Sequence, residues 1–389
     1  MQLIIDKDYV INTTVELVKI DSRNPSLEAT APGEKKCAEY LALKMKELGL
    51  STKIDTISDK HANVVGVLKG KSNGKSLLLN AHMDTVGIEN MNSPFSGKVE
   101  NNRVYGRGSQ DMKGSLAVML TVVKTLQDSN IELDGDLIIA GVADEEYSSK
   151  GTFDLVKHYT ADAAIVTEPT NLSLVTAHRG FIWYEVETMG KAAHGSRYNI
   201  GIDANMHMGR FIAELDKLEQ KLHLVQEHPL VGIPSLHASQ INGGTDISTY
   251  SAKCNLKIER HTVPGENIDD ITAELQNIIN NLANKDPKFK ATVKPIMTRS
   301  PYNTPKSSNI VTLSKSILER HHKKQCCLNG VPFWTDAAIL TDAGIETIIL
   351  GPTGEGLHTE EEWVDVNSLY DLTKILTEIA IKYCANSDF

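Results

Sequence analysis

The chain has 389 residues, of which 41% are hydrophobic and 23% charged, which is enough apolar material to bury two separate cores and makes a folded, globular chain the expectation over a disordered one. Its formal net charge of -10, from 50 acidic against 40 basic residues, offers no basic surface for nucleic-acid phosphate or an anionic membrane, and leaves small-molecule chemistry by elimination. The five cysteines are odd in number, and Asp6 and Asp8 stand where a secretory leader would be basic and apolar, so reduced thiols and a cytoplasmic location are expected.

In chain order, Ala38, Leu41, Met45 and Leu48 recur at helical spacing and stop at Gly49. Residues 63–68, 76–80 and 136–142 are apolar runs bounded by turn residues and read as strands, with a largely apolar helix over 113–126 between the last two. The longest apolar run, 116–123, is interrupted by Thr121 and falls far short of the roughly 20 residues that span a bilayer, so no membrane segment is expected. Strands alternating with helices specify α/β architecture with a parallel sheet, whose chemistry belongs at strand ends.

Near Gly180 the pattern changes. Residues 181–188 alternate as a strand before a turn at Gly190. Ala204, Met208, Phe211, Leu215, Leu218 and Leu222 form one helical stripe, Ile271, Leu275, Ile278 and Leu282 another, and strand-like segments at 236–241 and 253–260 lie between them. Strand, helix, strands, helix predicts a small α+β sandwich. A loop at 299–308, with Pro301 and Pro305, returns the chain to α/β pattern and a strand at 347–350. The expected domains are 1–180 with 298–389, and 181–297.

Chemistry-bearing residues recur after the predicted strands. His82 and Asp84 point to one face of an extended segment, so His82 can ligate a metal while a carboxylate fixes its tautomer; the alternative is a surface histidine. The loop Gly106-Arg107-Gly108-Ser109-Gln110-Asp111 delivers Asp111 just before a helix, as a ligand or an N-cap. Asp144-Glu145-Glu146 places three carboxylates in a row, which repel unless a cation compensates, and suits one ligand beside one general base or else a solvated loop. Glu168 and His358 follow two further strands. Two divalent ions carry four positive charges, balanced by Asp111, Glu146, Glu168 and one hydroxide, and a nitrogen and oxygen donor set without thiolate suits zinc or cobalt and admits manganese. Cys326-Cys327 lacks the spacing that presents two sulfurs to one metal.

Together, in order and spacing, these motifs resemble the metallopeptidases that include acetylornithine deacetylase, succinyl-diaminopimelate desuccinylase, aminoacylase and the glutamate carboxypeptidases, over essentially the whole chain. The resemblance implies a zinc-peptidase-like catalytic domain with a mixed, mostly parallel sheet and an inserted ferredoxin-like lid that often forms a homodimer. It implies two divalent metal ions, most simply zinc, held by His82, Asp111, Glu146, Glu168 and His358, with Asp111 bridging and Glu145 as general base. In Gly190-Lys191-Ala192-Ala193-His194-Gly195, His194 matches a lid histidine that stabilises the oxyanion in a neighbouring subunit. Arg260, ahead of Pro264-Gly265-Glu266, matches an arginine that pairs with the substrate carboxylate, the alternative being a salt bridge. Ser248-Thr249-Tyr250-Ser251 departs from the asparagine many relatives carry there, and Thr335 and Asp336 fall in a variable loop near the substrate. Thr167-Glu168-Pro169-Thr170 resembles the deacetylase branch, so hydrolysis of a small N-acyl amino acid is expected, with a carboxypeptidase or dipeptidase, or a catalytically silent relative, as alternatives.

Overall fold

A computed structural model describes residues 3–386, in which the chain forms two compact units. One comprises residues up to 176, 304–329 and 335 onward; the other comprises 177–303 and 330–334, and is therefore inserted into the first along the sequence.

The sheet of the first unit runs Ser51–Thr56, Ala62–Leu68, Leu137–Val142, Leu77–His82, Ala163–Val166, Glu346–Ile349 and the strand opening at Val175. Its centre is parallel: Leu77–His82 pairs with Leu137–Val142 on one side and Ala163–Val166 on the other, and Glu346–Ile349 continues in parallel. Ser51–Thr56 and Ala62–Leu68 add antiparallel pairs, so the sheet is mixed. Every residue of Leu77–His82 and of Leu137–Val142 is buried, which is why both read as unbroken apolar runs. Helix Gly114–Asp128 packs against Lys7–Lys19 and Val366–Tyr383, and its apolar circumference is buried almost throughout. Ser51–Thr56 is polar and largely exposed at the sheet edge, so it carries no apolar run to announce it.

The second unit is built as strand Gly180–Met189, helix Ala204–Leu222, strands Ser235–Gly243 and Lys253–Thr262, helix Ile268–Lys285 and strand Lys290–Arg299. Pairing orders these strands second, third, first, fourth, the βαββαβ arrangement of a ferredoxin-like sandwich. Asp203 and Asn267 start the two helices by accepting backbone N–H groups of the first turn. Phe211, Leu215, Leu275 and Ile279 meet Tyr184, Leu256 and Ile258 in the core; Ile279 takes the position expected of Ile278, which lies partly buried at the margin. Lys290–Arg299, largely exposed at an edge, is the strand that apolar patterning misses. Among the described residues, no helix is long and apolar enough to cross a membrane.

One glycine ties the sheet to the loop that carries Glu145 and Glu146. At the start of helix Lys150–His158, a Cβ on Gly151 would lie 2.3 Å from Ala143 N and 2.6 Å from Ala143 O and Asn63 Oδ1. Asn63 Nδ2 donates to Gly151 O at 2.9 Å and Ala143 N donates back to Asn63 Oδ1 at 3.1 Å, closing the strand end from which Glu145 and Glu146 emerge. Gly151→Ala is expected to cost about 1–3 kcal/mol by overpacking, read as a lower urea midpoint; an unchanged midpoint would show that the loop yields.

Candidate metal centre

His82 is the last residue of the central strand, Glu145 and Glu146 follow Leu137–Val142, and Glu168 follows Ala163–Val166, so three neighbouring parallel strands deliver these side chains to one edge. Asp111 comes from the distorted turn Ser109–Lys113 ahead of helix Gly114–Asp128, where its φ of -118° and ψ of 89° are not helical. The N-cap position of that helix is Lys113, so Asp111 is not its N-cap. His358 comes from the loop after Glu346–Ile349 and holds a left-handed φ of 58°.

These side chains converge. His82 Nε2 lies 2.9 Å from Asp111 Oδ1 and 3.8 Å from Glu168 Oε1, and His358 Nε2 lies 3.2 Å from Asp111 Oδ2 and 3.1 Å from Glu146 Oε2. Asp111 thus stands between the two imidazoles. Potential ligand atoms of His82, Glu145 and Glu168 fall within 4.8 Å of one another, as do those of His82, Asp111 and Glu146. Distance alone does not separate Glu145 from the ligands.

Asp84 differs from expectation in how it acts. His82 Nδ1 donates to the Asp84 backbone carbonyl at 2.9 Å, while the nearest Asp84 carboxylate oxygen is 3.7 Å away. The carboxylate is committed elsewhere, accepting Asn24 Nδ2 at 2.7 Å and the backbone N–H groups of Glu145 and Glu146 at 3.1 Å each. The backbone fixes the imidazole tautomer, and the side chain holds the Glu145-Glu146 turn. Asp144 turns away to accept Asn24 Nδ2 at 3.0 Å and to pair with Lys150 at 3.2 Å. Asn24, Arg107 and Glu362 are supports that motif reading did not find; the only signal for Glu362 is its place in the acidic run after His358.

Electrostatically the cluster demands cations. Burial opposes a charged ring at His82, yet Glu168, Asp111 and Asp84 together hold it well above the ordinary histidine range. Hydrogen bonds to Asp111 and Glu146 push His358 up to about 10. Although burial works against ionisation of Asp111, hydrogen bonds from His358 and His82 hold it well below the usual carboxylate range. Burial and neighbouring carboxylates, Glu168 for Glu145 and Asp111 for Glu146, push those two glutamates up, and Glu168 is raised chiefly by burial as well. Glu146 Oε1 is buried with no hydrogen-bond partner. A divalent ion accepts lone pairs from deprotonated imidazole and from such an orphaned oxygen, so the donor set fits a pair of ions without thiolate.

The other expected residues have bonding partners of their own, and the charge of Asp336 also raises Glu145 and Glu168. His194 is exposed in the second unit, with Nδ1 accepting the Ser196 N–H at 3.3 Å. Arg260 is buried rather than forming a surface ion pair: Nη2 meets Glu266 Oε1 at 2.5 Å, Nη1 bonds the His261 carbonyl, and Nε has no partner. Thr335 Oγ1 accepts the Ala337 N–H at 3.2 Å, and Asp336 accepts Thr152 Oγ1 at 2.5 Å, so both buried side chains anchor helix Ala337–Asp342.

Two outcomes are expected. Both imidazoles bind protons more tightly folded than unfolded, so in chelated protein the stability they contribute is present below their ordinary pKa of 6.5 and is lost as pH rises through about 10 for His358. Urea midpoints of chelated protein should fall over that window, and added metal should flatten the fall; a flat chelated profile would contradict the proton-holding cluster. Asn24→Leu, which removes the donor shared by Asp84 and Asp144, should cost about 1–3 kcal/mol in the same assay.

The profile of "Peptidase family M20/M25/M40" matches residues 78–382. The chain is 28% identical to an N-formyl-4-amino-5-aminomethyl-2-methylpyrimidine deformylase of Bacillus subtilis, over 97% of this chain and 95% of that protein. It is also 28% identical to an acetylornithine deacetylase of Buchnera aphidicola, over 96% and 97%. Its fold is similar to that of an aminopeptidase from Bacillus cereus, with a TM-score of 0.80, 19% identity and coverage of 98% of this chain and 99% of that one. A dinuclear metal-binding peptidase from Bacillus subtilis gives a TM-score of 0.74 at 14% identity, over 97% and 98%. Since the profile spans most of the chain and the relatives run its full length, the protein belongs to peptidase family M20/M25/M40 and is a metallo-amidohydrolase.

Proposed function

We propose that the protein removes a short acyl group from a small amine bearing a carboxylate, an N-acyl amino acid of the acetylornithine type, with two divalent ions held by His82, Asp111, Glu146, Glu168 and His358. The observation that carries this reading is the meeting of these side chains, from separate loops, around Asp111. Relatives named for removing formyl and acetyl groups support the short acyl group. Zinc is the ion we favour, and five free thiols favour a cytoplasmic location.

Bound ions would supply Lewis acidity to the amide carbonyl and to water. Glu145 lies beside His82 and Glu168 but is partly exposed, so water reaches its carboxylate, which takes the nucleophile's proton and returns it to the departing amine. Ser196 engages Nδ1 of His194 through its N–H at 3.3 Å and its Oγ at 2.9 Å, which leaves Nε2 as the ring nitrogen to meet an oxyanion. Arg260 would recognise the substrate carboxylate by exchanging it for Glu266.

A homodimer through the second unit is supported by its unpaired edge. Strand Ser235–Gly243 is largely exposed at one side of its sheet, and Tyr198, Met206, Ile241 and Ile247 expose apolar surface.

Acyl release from acetylornithine, other acetylated amino acids, an N-formylaminomethylpyrimidine and dipeptides, assayed after chelation with and without added zinc or cobalt, tests the activity. Metal-dependent turnover highest on acetylated amino acids supports it; turnover confined to dipeptides overturns it. Glu145→Gln is expected to keep the metal content and lose turnover by at least about 100-fold. Ile241→Asp with Ile247→Asp should give monomers by light scattering if this edge forms the dimer.

A further inference from the structure

Arg107 and Glu362 lie outside the ligand set, yet each shares a loop with one of its members. Arg107 precedes Asp111, and Glu362 follows His358. The Glu362 carboxylate is 1% exposed and fully engaged: Oε2 accepts from Arg107 Nη1 at 2.8 Å and Gly108 N at 2.9 Å, while Oε1 accepts from Gln110 N at 2.9 Å and Asp111 N at 3.0 Å. Arg107, 3% exposed, spends its other donors on the Thr359 carbonyl at 2.9 Å and the Gly87 carbonyl at 2.8 Å. Gly106 N closes the contact by donating to the Glu362 carbonyl at 3.0 Å.

A buried ion pair is weak grounds for net stability, because desolvation offsets the attraction and an apolar pair can fill the same space. What an apolar pair cannot do is grip both loops by the backbone beside their ligands. Asp111 has non-helical φ and ψ, so its N–H is held by Glu362 and not by a helical turn. Thr359, whose carbonyl Arg107 holds, is the neighbour of His358. By contrast, His82 is fixed by its strand and the Asp84 carbonyl, and Glu168 by its own strand end; neither depends on this pair.

We propose that Arg107 and Glu362 are positioning residues that set the spacing of Asp111 and His358, and with it the affinity of the Asp111, Glu146 and His358 half of the centre for its ion. The inference rests on the reading of those three side chains as ligands.

The test is titration of chelated full-length protein with cobalt, followed by visible absorption, and with zinc against a chromophoric chelator. Urea midpoints of the chelated proteins are measured in parallel. In Glu362→Gln an amide N–H₂ replaces one acceptor and faces backbone N–H groups; one of two ions should bind about 10–100-fold more weakly with a changed cobalt spectrum, and the other, which shares only Asp111 with it, should weaken clearly less. Arg107→Met should weaken the same ion, and Arg107→Lys, which keeps the charge but not the fork, should fall between. Arg107→Lys also carries the test if Glu362→Gln does not fold. Equal weakening of both ions, or of neither, overturns the inference. Asp111→Asn separates the two readings: wild-type binding of both ions in that variant would sink the ligand assignment itself, whereas loss of an ion there beside unchanged binding in Glu362→Gln would sink only the positioning role.

Discussion

Repulsion among crowded carboxylates is the constraint on which the site depends. Asp111, Glu145, Glu146 and Glu168 crowd one strand edge, and two like charges about 4 Å apart cost about 4 kcal/mol even at an effective dielectric near 20. Three buried carboxylates outside this cluster, Asp84, Asp144 and Glu362, make an informative contrast with it. Each oxygen of Glu362 receives two donors, and Asp84 receives Asn24 and two backbone N–H groups. The carboxylates of the centre have the two histidines, and Glu146 Oε1 has nothing. Protein donors satisfy the supports and leave the centre short of positive charge. That shortage is what a divalent pair remedies, and it explains why both imidazoles otherwise retain protons.

The fold makes this concentration possible. Parallel strands place their C-terminal ends at one edge, so residues far apart in sequence, from His82 to Glu168, arrive together. The loops are then held by backbone hydrogen bonds to buried side chains, which resist displacement better than contacts between flexible side chains. Close packing adds to this: at Gly351 a Cβ would lie 2.0 Å from the Glu168 carbonyl, so only glycine lets the Glu346–Ile349 strand end pass against the Glu168 turn. The second unit has its own core and its own two caps, and carries His194 and Arg260 on a framework stabilised separately from the centre.

The sequence by itself determined a great deal here. Fully buried parallel strands are unbroken apolar runs, helices of the second unit show a stripe, and chemistry follows strands, so the α/β class, the inserted sandwich and the cluster of His82, Asp111, Glu145, Glu146, Glu168 and His358 were all legible, the last with the help of the family's motif order. Exposed edge strands such as Ser51–Thr56 and Lys290–Arg299 were not, because half-solvated polar segments leave no periodicity. Only the tertiary structure decided which acidic residues are supports. Asp84 lies two residues from His82 yet braces Glu145 and Glu146 through its carboxylate, Glu362 braces Asp111 from the far end of the chain, and Arg260 is taken up by Glu266. A carboxylate's role depends on how many donors reach its two oxygens, and at Asp84 and Glu362 most of those donors are backbone N–H groups that every residue but proline carries, which one-dimensional sequence cannot tell apart.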